Sequence, residues 1–243
     1  MEIIPVIDLK HGHVVHARRG DRASYAPLVS TLCESSLALP VAAALINFCH
    51  PRHLYIADLD AISGEGDHRD EIGALHNAFP EISLWVDAGF KNVAAISTAK
   101  ACFDFVPVLG SESITSIDTF SKLIAAAPTA VISLDFRGES FIGPPELINA
   151  VANKPNRIIH LNLKQVGSSA GPDFAGIEAL RKRAPNAQIY CGGGVRDMDD
   201  LRQLDALGVQ GALVATALHE GSLARIDFLA LASAQRIQKV DSD

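Results

Sequence analysis

The sequence predicts a (β/α)8 TIM barrel of the α/β class, built from two fused half-barrels. Three observations predict it. Short runs rich in Val and Ile alternate strictly with longer Ala/Leu-rich runs, eight of each. Most of the short runs are apolar at successive positions, as strands covered on both faces must be. The length, 243 residues, is close to the ≈ 250 typical of that barrel.

Taken in order, the expected strands are IIPVID (3–8), HLYIAD (53–58), ISLWV (82–86), FDFVPVL (103–109), TAVISLD (129–135), RIIHLN (157–162), AQIYC (187–191) and QGALVA (210–215). Helical patterns fall between and after them, at 38–48, 68–78, 92–101, 116–126, 145–153, 173–184, 197–206 and 223–238, with Asp173 placed to cap the sixth. A doubly wound open sheet is the alternative. It would need a reversal of strand order, and eight equal units fit a closed barrel better. One barrel is expected over 1–238, followed by a tail at 239–243.

Composition narrows the function classes. Hydrophobic residues make up 48% and charged residues 20%, with a formal net charge of −7. That balance suits a cytoplasmic enzyme and opposes a nucleic-acid partner held by a broad basic surface. No apolar stretch is long enough to span a membrane. Cys33, Cys49, Cys102 and Cys191 form no C-x-x-C pair, so they read as reduced, mostly buried thiols. No histidine shows H-x-E or H-x-x-x-H spacing, and no metal is expected.

The chain also repeats. DAGFK at 87–91 matches GGGVR at 192–196, an offset of 105, and Gly110-Ser111 matches Ala215-Thr216 at the same offset. The residues ending at Asp60 match those ending at Lys164, and Asp8 matches Asp135 at the end of the fifth strand. Half-barrels at about 1–115 and 116–238 follow.

Loops after the strands form the active face of such a barrel, and those after the seventh and eighth strands commonly hold phosphate. Gly193 and Gly194 let backbone N–H groups approach an anion ahead of a helix, and Ala215 and Thr216 complete a cradle. A tight turn needing glycine only for packing is the plainer reading. In the first half the corresponding positions hold Asp87 and Glu112. A carboxylate about 4 Å from a phosphate charge repels it by ~1 kcal/mol in water and ~4 kcal/mol at an effective dielectric near 20. Lys91 could offset one of the two. That end is therefore expected to hold no phosphate, but a cationic or hydroxyl-bearing group, or nothing.

Asp8 and Asp135 end strands that face each other across the mouth, where two carboxylates can act as general acid and general base on one substrate. Asp is equally common as a cap of its own loop. Weaker pocket candidates are His16 in the first loop, Asp58 or Asp60 after the second strand, and Asn162 after the sixth. Arg18, Arg19 and Arg22 lie in the first loop, either to close over a phosphate or to stay solvated, and residues 20–37 of that loop show no regular pattern.

IIPVIDLKHGHVVHARRGD, LYIADLDAISG, VISLDFRG, CGGGVRDMDDL and VATALHEG resemble the HisA/HisF family of histidine-biosynthesis barrels over roughly residues 1–225. The loop chemistry is closer to HisA, the ribotide isomerase, than to HisF, a cyclase subunit. The resemblance implies a metal-free and cofactor-free Amadori rearrangement of a phosphorylated aminoaldose, with acid–base catalysis on Asp8 and Asp135 and one phosphate on Gly193, Gly194, Ala215 and Thr216. The departures are as informative. The family's other phosphate loop reads like GGGIR, and here it reads DAGFK. Loop 5 lacks the family's Gly-Trp, the only Trp being Trp85. The sixth strand ends in Leu161-Asn162-Leu163 and continues KQVGSSAG, where the family carries TDI and then DGT. The expectation is a diverged HisA-like isomerase or lyase acting on a smaller or singly phosphorylated metabolite. The alternatives are the authentic ribotide isomerase, a protein of tetrahydromethanopterin-type one-carbon cofactor biosynthesis, and a non-catalytic barrel that binds a phosphorylated ligand. No protein partner is evident from the helix surfaces.

Overall fold

A computed structural model describes residues 1–152 and 157–224. Eight parallel strands form the barrel: β1 (Glu2–Lys10), β2 (His53–Asp58), β3 (Ser83–Asp87), β4 (Val106–Gly110), β5 (Val131–Arg137), β6 (Arg157–Asn162), β7 (Gln188–Gly192) and β8 (Gly211–Val214). Each pairs with its neighbour in sequence, and β8 returns to β1 in the register Glu2↔Gly211 to Pro5↔Val214. The ring is closed, so the open-sheet alternative is excluded and each of the eight barrel strands is paired on both sides.

Among the described residues seven outer helices follow: α1 (Ala38–Cys49), α2 (Arg69–Ala78), α3 (Val93–Lys100), α4 (Ile117–Ala126), α5 (Glu146–Ala152), α6 (Phe174–Arg183) and α7 (Met198–Ala206). Side-chain oxygens cap several of them. Asp173 accepts from the Gly176 N–H at 3.1 Å, as expected, and Asn92 and Ser116 do the same for α3 and α4. Nearly all of the expected last helix, 223–238, and the whole 239–243 tail lie outside the described residues.

Alternation along the strands builds two cores. Inward residues, among them Ile4, Tyr55, Trp85, Ile159, Tyr190 and Leu213, fill the barrel. Outward residues such as Ile7, Leu54, Ile132 and Ile158 pack with Val41, Leu45, Leu75 and Leu123 of the helices. Trp85 is fully buried on the barrel axis, edge-on to Tyr190 at 5.0 Å, with the Arg157 guanidinium 5.2 Å from its ring. The single Trp is therefore core, not a substrate platform.

Two short antiparallel arms decorate the mouth. His13–Val14 folds back on the end of β1, and Ser140–Ile142 folds back on the end of β5. The expected strand at 103–109 begins at Val106, because Phe103 and Phe105 are buried in the outer core without joining the sheet. Apolar runs report burial, and burial outlasts the hydrogen-bond ladder. The four cysteines are free thiols as expected, but only Cys191 is fully buried; Cys33 and Cys49 are half-buried and Cys102 is exposed. No described helix is long and apolar enough to cross a membrane.

Candidate active site

The C-terminal mouth holds a cavity of about 280 Å³. Strand register decides which carboxylates reach it. Asp8 lies level with Ala57, and Ala57 with Asp87. On the other side Asp135 lies level with Leu161, and Leu161 with Gly192. All six lie at inward positions; Asp8, Asp87 and Asp135 line the cavity together, and Gly192 stands to Asp135 as Asp87 stands to Asp8. Glu112, in the turn Ser111–Ser113 after β4, joins the same wall.

Asp135 is the most firmly held. Its carboxylate accepts from Ser133 Oγ at 2.6 Å, Ser111 Oγ at 3.1 Å and the Glu112 N–H at 3.1 Å. Burial raises its pKa to about 6, and those hydrogen bonds oppose the rise. Asp8 is half-buried against the cavity, and desolvation raises it to about 7 while Arg22 pulls it down. Asp87 rises to about 7, first by burial and then by repulsion from Asp135; the Gly89 N–H it accepts at 3.1 Å and Arg22 act the other way. The Tyr55 hydroxyl, 3.5 Å from Asp87, is held protonated by burial and by the surrounding acids. The carboxyls thus titrate across neutrality instead of near 4, where proton exchange with a substrate is efficient.

The counter-charge comes from Arg22 in the first loop, which pairs with Glu112 and also faces Asp8 and Asp87. Lys91 is exposed and does not line the cavity, so the offset expected of it is supplied by Arg22 instead. Nor is loop 20–37 without anchors. Val15 bridges to Pro27, Thr31 N–H bonds His219 O, and Ser30 meets His219 Nδ1 at 2.9 Å. Arg19 N–H bonds Val166 O, docking the loop on the segment after β6. Nothing in local sequence reports such distant ties.

At the opposite side of the cavity lie Gly193, Gly194, Ala215 and Thr216. Both glycines are left-handed, with φ of 87° and 91°. A Cβ on Gly194 would sit 2.2 Å from Gly171 O, so glycine is required there by close approach as well as by φ. The short helix Thr216–His219 begins at the cradle, directly after Ala215. Arg196 gives both arms of its guanidinium to buried Asp200, at 2.9 and 2.7 Å, and thereby holds the loop. The cradle itself is backbone, with the Thr216 hydroxyl 3.2 Å from His16 Nε2. Burial lowers the pKa of His16, and Arg18 lowers it further.

Two expected pocket residues face elsewhere. Asp58 is buried but accepts from Ala61 N–H, His68 N–H and His68 Nδ1, pinning the loop after β2. Asn162 bonds Gly138 N–H and O, and Asp173 at 2.8 Å. Neither lines the cavity, because each lies one residue beyond an inward position, Ala57 and Leu161. Asp60 is likewise off the cavity. With His11 and Glu65 it brings three ligand-type atoms within 4.8 Å, the one such group among the described residues, and two of the three are exposed. Phe90, Phe136 and Phe141 do not fill the cavity.

A model of the family described as histidine biosynthesis protein matches residues 2–224. An uncharacterized protein of Methanocaldococcus jannaschii is 34% identical over 92% of this chain and 95% of its own. A phosphoribosylated imidazole-carboxamide isomerase of Chloroflexus aurantiacus is 28% identical over 96% and 98%. Phosphoribosyl isomerase A of Streptomyces griseus is 27% identical over 90% and 92%.

Proposed function

The chain belongs to the histidine biosynthesis protein family, and within it we propose an acid–base isomerase or lyase of a phosphorylated small metabolite, a HisA-like paralogue with an altered substrate. The observation that carries this reading is the convergence of Asp8 and Asp135, from opposite strands, on one cavity whose far wall is the Gly193–Gly194 and Ala215–Thr216 loops. In the proposed mechanism the phosphate rests on those backbone N–H groups and fixes the sugar across the mouth. Asp135, the more acidic of the pair, starts ionised and takes the proton from the carbon next to the reacting centre. Asp8 starts protonated and gives its proton to the ring oxygen as the ring opens. The Ser133, Ser111 and Glu112 donors hold Asp135 in the charged form that a base needs. The shift is completed when Asp135 returns its proton to the carbon that bore the ring oxygen while the neighbouring hydroxyl gives its proton to the Asp8 carboxylate and becomes the ketone, which restores both groups; an aldose–ketose or Amadori shift is the reaction type that uses these transfers. We take the halves divided near residue 115 as copies of one ancestral unit, and the cytoplasm as the site of action.

The substrate is proposed to differ from the two-phosphate ribotide because Asp87 and Glu112 occupy the positions of the family's second phosphate loop. The competing reading, the authentic ribotide isomerase, is favoured by the names of relatives 27–28% identical over 90% or more of this chain. Complementation separates the two. A histidine-requiring strain lacking the ribotide isomerase is expected not to grow when supplied with this chain, and growth would establish the authentic activity. The cavity is not filled by Phe90, Phe136 or Phe141, which weighs against a non-catalytic barrel.

A further inference from the structure

The two sides of the mouth carry opposite chemistry. The second-half side offers backbone N–H groups and a hydroxyl, and its nearest guanidinium, Arg196, is committed to Asp200. The first-half side offers Asp8, Asp87, Asp135 and Glu112 around the Tyr55 hydroxyl. One guanidinium, Arg22, faces them, and its hydrogen-bonded partner is Glu112. Tyr25, from the same loop, adds a neutral hydroxyl. Arg137 lines the rim beside Gly20 instead. The side therefore keeps excess negative charge when its acids ionise.

Asp87 carries the specific signal. Only 6% of it is exposed, and its two oxygens are used unequally. Oδ1 accepts the Gly89 N–H, while Oδ2 has only the Tyr55 hydroxyl at 3.5 Å, too long for a good hydrogen bond. Buried carboxylate oxygens are ordinarily satisfied. Asp87 Oδ2 and Asp135 Oδ2 both lie over Gly110, where a Cβ would be 3.0 Å from the first and 3.5 Å from the second, and Asp135 Oδ2 already accepts from Ser111 Oγ and the Glu112 N–H. One under-used acceptor beside a second carboxylate oxygen, both on residues that line the cavity, suits a compact donor with several N–H bonds and a positive charge.

We infer that the Asp87–Glu112 side of the cavity is a subsite for a primary ammonium group, so that the substrate is a small amino-phosphate with its charges at opposite ends. This inference rests on the phosphate cradle proposed above for the other end. An ammonium presents three donors and a localised charge, which Asp87 Oδ2, Asp135 and the Tyr55 oxygen can accept together. An anion at the same place meets more negative charge than the single guanidinium of Arg22 offsets. Asp8 and Asp87, which are partly protonated near neutrality, then release protons as the cation enters, because an adjacent positive charge favours the ionised form. Arg22 stays with Glu112 and sets the charge that the ligand has to match.

The test is calorimetric titration of the full chain with aminoethyl, aminopropyl and aminobutyl phosphate, against alkyl phosphates of the same lengths and the corresponding alkylamines. The best aminoalkyl phosphate is expected to bind at least about tenfold tighter than its alkyl counterpart. Repeating the titration in buffers of different ionisation enthalpy is expected to show net proton release. Asp87→Asn keeps the acceptor for Gly89 N–H and is expected to bring the ratio near unity, with Glu112→Gln as a second, independent reduction. Alkyl phosphates that bind while no aminoalkyl phosphate binds more tightly would overturn the ammonium subsite and leave the cradle standing. Alkylamines that bind, and lose affinity in Asp87→Asn, while no phosphate binds, would support the subsite and overturn the cradle. Absence of all binding overturns both.

Discussion

Asp87→Asn is expected to stabilise the protein, and to do so in a pH-dependent way. The folded chain holds the Asp87 carboxyl at about 7 against an ordinary 3.8. Between those values the folded state binds more protons than the unfolded state, so stability falls as pH rises. At 1.36 kcal/mol per pKa unit, the full shift corresponds to ~4 kcal/mol of destabilisation above pH 7. Part of that is repulsion from Asp135, which lapses when Asp135 is protonated, and cavity water screens more, leaving about 2 kcal/mol. Asparagine has no ionised form to desolvate and still accepts from Gly89 N–H. For a chain of this size about 2 kcal/mol is a rise of roughly 4–8 °C in Tm. Thermal melts by circular dichroism at steps from pH 4 to pH 8.5 measure it. The advantage of the variant should be small near pH 4, grow toward pH 7 and then level off. A variant less stable than the parent at pH 8, or an advantage constant with pH, would show that Asp87 is not a desolvated, mostly protonated carboxyl.

Other outcomes follow from the same geometry. Asp8→Asn should lower turnover on the true substrate by about 10²–10⁴ with KM little changed; intact turnover removes Asp8 from the chemistry. Gly194→Ala puts a methyl 2.2 Å from Gly171 O at a φ of 91°, a strain of about 1–3 kcal/mol. It should lower Tm by several degrees and abolish stabilisation by inorganic phosphate, both read in melts with and without the anion. Arg22→Ala removes the charge that pulls Asp8 and Asp87 down, so the window in which stability declines with pH should move upward. An unmoved window in proton titration or pH-resolved melts would mean that Arg22 does not face these acids in solution.

The barrel was readable because β1 to β8 are Val/Ile runs that burial on two faces demands, and because each helix is a longer Ala/Leu run. Asp8 and Asp135 were readable for a related reason: they are the polar residues at the exit of such runs. Asp58 and Asn162 show where that logic stops. A strand end presents successive residues to opposite sides, and one position separates the cavity from the loop scaffold. Ala57 and Leu161 took the inward places. Arg22 was readable only as one arginine among three, since its pairing with Glu112 spans ninety residues of chain. Ser133 and Ser111, which hold Asp135, carry no local pattern that separates them from ordinary strand and turn serines.

The position of Trp85 has a practical consequence. It is the only Trp in the chain, fully buried at the floor of the barrel, below the layer that carries Asp87 on the same strand. Tryptophan emission from this protein therefore arises at one known point, shielded from solvent quenchers until the barrel itself opens. His53, Tyr190 and the Arg157 guanidinium are its ring neighbours, so a change in its light under native conditions reports on the barrel and not on the loops of the mouth. A label-free optical signal for global opening, separate from any signal of the mouth, is thus built into the molecule.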